Sequence, residues 1–244
     1  MKRVNEIRVV LETDQKVLAH GNSLRGFISK HFPQNPLLTN HMEDGRTIYI
    51  FPRVQYRILE NRAIIIGVEE GIDVVSALAD HFDYLELGSK KYPILKKIVT
   101  KQKVPVGISP RMISYRFLKP WLALNKNNYS RYKLFDNFHD KKQLLRNILT
   151  ANLLSLAKGI EANILENIVV DRLELRPQPT TLKRVSMLGF YGSFSVNFFI
   201  PELWGIGKSV SRGFGVVRTM PRKRASNLST SSPFEGVPQQ DKYL

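Results

Sequence analysis

Within the first 87 residues the hydrophobic period switches repeatedly, and the order of the switches admits few folds. Ile7, Val9 and Leu11 alternate with polar neighbours, as a half-buried strand does. His20-Gly21-Asn22 reads as the turn out of that strand, with Asn22 placed to cap the helix that follows. Leu24, Phe27, Ile28 and His31 recur at helical spacing, so a short helix is expected from Ser23 to Phe32, stopped by Pro33. Gln34 to Arg46 is a polar, proline-broken loop that contains His41. Strand-like runs at Thr47–Ile58 and Ala63–Val68 flank Glu60-Asn61, a hairpin signal. Ile72, Val75, Leu78, Ala79 and Phe82 mark a second helix, and Tyr84–Leu87 closes the unit as a short strand. Strand, helix, strand, strand, helix, strand is the order of a ferredoxin-like fold, a four-stranded sheet with both helices on one face.

The second half repeats this theme more loosely. Ser89 to Lys103 carries Lys90, Lys91, Lys96, Lys97, Lys101 and Lys103 with no acid, and reads as a solvated linker or an edge strand. Pro105 to Pro120 is the expected change of domain. Leu145, Ile148, Leu149, Leu153, Leu156 and Ile160 form the longest amphipathic helix. Strands are expected at Ile168–Leu175, Ser186–Ile200 and Phe214–Thr219. The expected fold is therefore α+β, two tandem ferredoxin-like domains at 1–108 and 109–219. Residues 220–244 read as a disordered tail, rich in Ser, Pro and Gln and poor in branched apolar side chains.

Charge narrows the partners. Lys and Arg number 37 against 21 acids, a formal net charge of +16, of which the last 27 residues hold only +3. The folded body thus carries most of the excess, and a polyanion is its simplest partner. A membrane surface is the rival, but no basic amphipathic helix or apolar run of roughly 18 residues supports it. There is no cysteine, which removes disulfides, thiolate catalysis and zinc–thiolate sites. Met1-Lys2-Arg3 is followed by Val4-Asn5-Glu6-Ile7-Arg8 rather than an apolar segment, so no signal peptide is read and cytoplasmic residence is expected.

One stretch stands apart. Gly205-Ile206-Gly207-Lys208-Ser209-Val210-Ser211-Arg212-Gly213-Phe214-Gly215 sets two Gly-x-Gly pairs around an insert of cations and hydroxyls. Glycine lets another backbone approach, and bare N–H groups with Lys, Arg and Ser donors suit a phosphate. It is not a P-loop, because Glu202 stands where the first glycine is needed, and Val210 occupies the third glycine position of the dinucleotide motif. The alternative is a glycine-rich hairpin whose charges are merely solvated.

The chemistry on offer is narrow. No two of His20, His31, His41, His81 and His139 have the spacing of a helical metal pair. The acids Glu43-Asp44 and Glu69-Glu70 with Asp73 lack the partners of a two-metal nuclease, so no metal or other cofactor is expected. What remains is acid–base catalysis by histidine. RNA suits it, since its 2′-hydroxyl is a nucleophile already beside the phosphate. His41 is a loop histidine able to move the proton, and Arg46 a cation able to hold the developing charge. His31 sits on the apolar stripe of its helix, where packing competes with catalysis.

Asn197-Phe198-Phe199-Ile200-Pro201, followed by Gly-x-Gly, five residues and Gly-Phe-Gly before a last strand, resembles the CRISPR-associated RAMP (repeat-associated mysterious protein) superfamily. Its repeat-RNA-processing endoribonuclease family is the nearest match, and Leu24-Arg25-Gly26-Phe27-Ile28 resembles that family's first helix. The resemblance implies two ferredoxin-like domains and metal-independent cleavage of CRISPR repeat RNA in precursor transcripts, leaving a 2′,3′-cyclic phosphate and a 5′-hydroxyl. It matches the family's histidine to His41 and its lysine to Arg46, while its helix tyrosine falls near Ser29, a departure that leaves either His31 as the second proton-transfer group or a single histidine sufficing. It also implies that Gly205, Gly207, Lys208, Ser209, Ser211, Arg212, Gly213 and Gly215 bind RNA. Expected partners are CRISPR repeat RNA and a CRISPR effector complex, for a monomer or homodimer. The alternative function is a non-catalytic RAMP subunit that binds guide RNA inside such a complex.

Overall fold

The computed structural model describes residues 1–39 and 51–221. Strand β1 (Lys2–Thr13) is followed by α1 (Gly21–His31), a single turn α2 (Pro36–Thr39), β2 (Val54–Leu59), β3 (Arg62–Val68), α3 (Gly71–His81) and β4 (Tyr84–Leu87). The next strand, β5, runs without a break from Lys90 to Phe117. β1 lies antiparallel between β3 and β5, and β2 extends the sheet beyond β3. Glu60 and Asn61 both adopt left-handed φ, 50° and 61°, as a two-residue hairpin turn requires.

Both faces of this sheet are buried, which explains the uninterrupted Ala63-Ile64-Ile65-Ile66 run. Ala63 and Ile65 point with Ile7, Val9 and Leu11 into a core roofed by Leu24, Phe27 and Ile28 of α1 and Val75 and Leu78 of α3. Ile64 and Ile66 point the other way with Val4, into a core shared with the C-terminal half. That half contains α4 (Lys126–Leu134), α5 (Phe138–Gly159), β6 (Val170–Leu182), β7 (Val185–Phe199) and β8 (Val217–Thr219). Leu145, Ile148, Leu149, Leu153 and Leu156 of α5 pack with Phe194, Val196 and Phe198 of β7. Asn137 caps α5, its side chain accepting the Asp140 amide at 2.8 Å.

The two α+β halves, each built in the ferredoxin manner of antiparallel strands backed by helices, share β5. It pairs with β1 from Ile94 to Val106 and with β7 from Gly107 to Arg116, giving the order β2-β3-β1-β5-β7-β6. The lysine-rich passage from Lys90 is thus strand, not linker, and the chain passes Pro105 without leaving it. Three further boundaries differ from the sequence reading. α1 begins at Gly21 with His20 in the cap position, so Asn22 lies inside the helix and does not cap it. α4 was not expected at all. β8 is confined to three residues because Gly213 and Gly215 hold left-handed φ.

A polar seam joins the halves. Glu6, 1% exposed, accepts from Arg8 at 3.0 Å, Gln102 at 2.8 Å and Trp204 Nε1 at 2.6 Å. Fully buried Arg57 donates to the carbonyls of Leu203 at 2.7 Å and Val210 at 3.2 Å, and to Gln55 Oε1. Burial first, then the nearby Arg8 charge, lowers its pKa to about 9, with Glu6 acting in the opposite direction. At neutral pH it remains a cation held by carbonyls. Among the described residues no helix is long and apolar enough to cross a membrane.

Candidate nucleic-acid interface

The glycine-rich stretch lies on that seam. Gly205 bridges to Val216, and its amide donates to Gln55 Oε1 at 3.2 Å. Val210 to Arg212 form one 3₁₀ turn, entered through left-handed Ser209 and left through left-handed Gly213. The amides of Ile206, Lys208, Arg212, Gly213, Phe214 and Gly215 donate to protein carbonyls. They are not the bare N–H groups that the sequence suggested.

The glycines serve the protein's own packing. A Cβ on Gly207, φ +86°, would stand 2.5 Å from Trp121 Nε1 and 3.0 Å from Asn152 Oδ1. These two atoms are hydrogen-bonded to each other at 3.0 Å. Gly213 faces Gly21 across a backbone contact, where a Cβ on Gly21 would lie 2.9 Å from the Arg212 carbonyl. The loop is therefore seated against the start of α1. Its side chains diverge from there: Arg212 donates to Asn22 Oδ1 at 2.5 Å, Ser211 is buried, and Lys208 is exposed on the opposite flank.

On the α1 flank a positive corner forms. Arg25, 5% exposed, donates to the Thr39 carbonyl, while its buried Nε has no hydrogen-bond partner. Its pKa falls to about 10, through burial first and the neighbouring Arg212 second, with Tyr56 opposing. Arg212 is also lowered by burial. Ser29 Oγ is 3.5 Å and Tyr56 Oη 3.4 Å from the Leu38 carbonyl, so both line the same corner. Burial pushes the Tyr56 phenol up, leaving it a neutral donor.

His31 lies elsewhere. Residues two apart on a helix point to different sides. Its ring packs on Phe27 at 4.5 Å and Phe82 at 5.1 Å, and its Nδ1 donates to the Phe27 carbonyl at 2.9 Å. Ser29 faces α2, whereas His31 faces α3 and β4; the structure does not bring them together. His41, Arg46, Glu43, Asp44 and the tail lie outside the described residues, which stop at Thr39 and resume at Phe51. Glu69 and Glu70 are engaged by Asn5 and Arg53.

Sequence reasoning missed Arg25, Tyr56, Glu6 and Arg57. Glu6 and Arg8 left a trace, two opposite charges on the same parity of β1. Arg25 sits inside the quoted Leu24–Ile28 motif, where a charge flanked by three apolar residues is itself a signal.

Comparison with known proteins places these elements. The description Cas6b N-terminal domain matches residues 2–104, and Cas6b C-terminal domain matches residues 107–220. A crystal structure of Cas6b is similar at 29% identity and TM-score 0.82, covering 90% of this chain and 100% of that one. The crystal structure of a CRISPR RNA processing endoribonuclease Cas6b is similar at 28% identity and TM-score 0.71, covering 89% of this chain and 100% of that one. An uncharacterised protein of Methanocaldococcus jannaschii is 38% identical over 133 residues, 54% of this chain and 90% of that one. With both domain descriptions matched in order and the seam between them formed, the chain belongs to the Cas6b family of CRISPR-associated RAMP proteins.

Proposed function

We propose that this protein is an endoribonuclease that cleaves CRISPR repeat RNA in precursor transcripts, without a metal, through attack of the substrate's own 2′-hydroxyl. The products would carry 2′,3′-cyclic phosphate and 5′-hydroxyl ends. The observation that carries the reading is the corner at Thr39, where burial and then the Arg212 charge lower the Arg25 pKa and the buried Arg25 Nε has no hydrogen-bond partner. Two like charges held together are relieved by an anion, and a scissile phosphate is one. His41 follows Thr39 by two positions in the sequence and is assigned the proton transfer; Arg46 is assigned the phosphorane charge. Ser29 faces the corner and is assigned a contact to substrate oxygen, while His31 is held in reserve. Lys208, Ser209 and Arg212 contribute donors from the loop, which Gly205, Gly207, Gly213 and Gly215 keep in shape. The domain division stays near residue 108, within a shared strand.

The test uses repeat RNA and its analogue with a 2′-deoxy group at the scissile nucleotide. Cleavage should persist in excess EDTA and stop on the deoxy analogue. His41→Ala should slow single-turnover cleavage on the order of 10²–10⁴-fold, the usual worth of general acid–base catalysis, with the dissociation constant for the deoxy analogue nearly unchanged. Loss of cleavage in EDTA with rescue by magnesium overturns the mechanism. Tight binding without cleavage by the wild type turns the reading to the non-catalytic guide-RNA subunit.

A further inference from the structure

The exposed flank of the glycine-rich loop opens on a second feature, remote from α1 and Thr39. A cleft of about 390 Å³ lies between α4, the β6–β7 hairpin and Lys208. That volume is in the usual range for a small-molecule site. Its floor is apolar, with Leu124 below and Pro179, Met187 and Leu188 on the hairpin side. Its polar wall is Asn125, Lys126 and Tyr129 from the first turn of α4, facing Lys208. Tyr129 is 41% exposed, with Lys133 Nζ at 5.4 Å from its ring centre.

Two things decide what such a cleft receives. The first is charge. The ten residues that line it include Lys126 and Lys208 and no aspartate or glutamate. A wall of cations without a single carboxylate selects an anion. The second is the pairing of that wall with an apolar floor and a partly open aromatic ring, which an inorganic anion does not need. A nucleotide has both parts: a flat base for the ring and floor, and a phosphate for the ammonium groups. α4 contributes little to the core: none of its nine residues is fully buried, and Tyr132 meets Phe190 edge-on at 5.6 Å while Tyr129, Arg131 and Lys133 stay on show.

We propose that this cleft is a nucleotide subsite on the RNA path. A single-stranded base lies against Tyr129, Met187 and Leu188, and its phosphate meets Lys126 and Lys208. The proposal rests on the RNA-processing reading above and adds a second anchor to it. Lys208 and Arg212 are four residues apart in one loop, so RNA crossing the loop touches the cleft at one end and the Arg25 corner at the other.

The experiment uses the full chain and two labelled probes of equal length, a single-stranded oligouridylate containing 4-thiouridine and an abasic RNA that keeps only sugar and phosphate. Wild type should prefer the oligouridylate, and its photocrosslinks should fall on α4 and the hairpin. Tyr129→Ala should weaken the oligouridylate on the order of 10-fold and leave the abasic probe alone, as loss of one stacked base does. Lys126→Ala and Lys208→Ala should weaken both probes and lower the salt slope by about one unit or less each. Melting temperatures serve as the folding control. Unchanged binding by Tyr129→Ala, with crosslinks elsewhere, removes the cleft from the path while repeat-RNA cleavage continues. Displacement of a polyglutamate probe rather than RNA from this face makes it a protein-docking surface instead. Wild type that neither binds nor cleaves repeat RNA overturns the parent reading and the subsite together.

Discussion

Gly207→Ala separates two explanations of the glycine-rich stretch. If the glycines exist to admit an RNA backbone, a methyl group there obstructs the ligand and spares the fold. The structure argues the reverse. A residue other than glycine held at φ +86° costs about 1–3 kcal/mol. The new Cβ, 2.5 Å from Trp121 Nε1, forces that fully buried ring to move, and overpacking of this kind costs about 1–3 kcal/mol. Breaking the Trp121–Asn152 bond adds about 1 kcal/mol. The sum, about 3–7 kcal/mol, lowers the melting temperature by roughly 6–28 °C in a chain of this size. It falls within the usual total stability, so the variant still folds at low temperature. The assay is a thermal melt followed by RNA titration well below the new midpoint, where affinity should match wild type. An unchanged melting temperature with tenfold weaker binding refutes the packing argument and returns Gly207 to the ligand.

His31→Ala should cost about 1 kcal/mol of stability, from lost contact with Phe27 and Phe82, and should leave single-turnover cleavage close to wild type. A hundredfold loss of cleavage with the fold intact would instead give His31 a proton-transfer role. Glu6→Ala leaves the indole of Trp204 and the guanidinium of Arg8 without their shared acceptor, at about 3–5 kcal/mol. Its melt should broaden or split as the seam loosens; a single transition at the wild-type temperature would show the seam to be dispensable.

The N-terminal half was legible because its signals are local. Ile7, Val9 and Leu11 alternate, Glu60-Asn61 turns, and Val75, Leu78 and Ala79 share a helical face; α1, β3, α3 and β4 fell within two residues of their expected bounds, whereas β1 extends from Lys2 to Thr13 and the strand expected from Thr47 begins at Val54. The misses have a common physical origin. α4 buries no residue fully and sets only Tyr132 against the core, so Lys126-Asn127-Asn128-Tyr129 carries no hydrophobic period to read. β5 between Leu95 and Lys103 is exposed along most of its length, and its lysines look like solvated chain although β1 supplies their backbone partners. Asn22 has the chemistry of a cap, but its Oδ1 accepts from Arg212, 190 residues away. At the site, the glycines announced themselves and their partners did not. Gly21, Tyr56, Trp121 and Asn152 set the conformations of Gly207 and Gly213, and none is near them in sequence. Arg25 and Tyr56 form the corner only once α1, β2 and the loop have met.

The seam also orders events in time. Trp204 is 198 residues from Glu6. At translation rates of about 5–20 residues per second, β1 leaves the ribosome roughly 10–40 s before its indole partner is made. Pairing with β5 becomes available midway, but the apolar face of Val4, Ile64, Ile66 and Val68 has no cover until the second half arrives. The nascent N-terminal half therefore presents an open sheet face to the cell for many seconds, with a buried-to-be arginine and glutamate at its centre. Arg57 and Glu6 keep that waiting surface wet, and so less adhesive, until the residues that will dry it are synthesised.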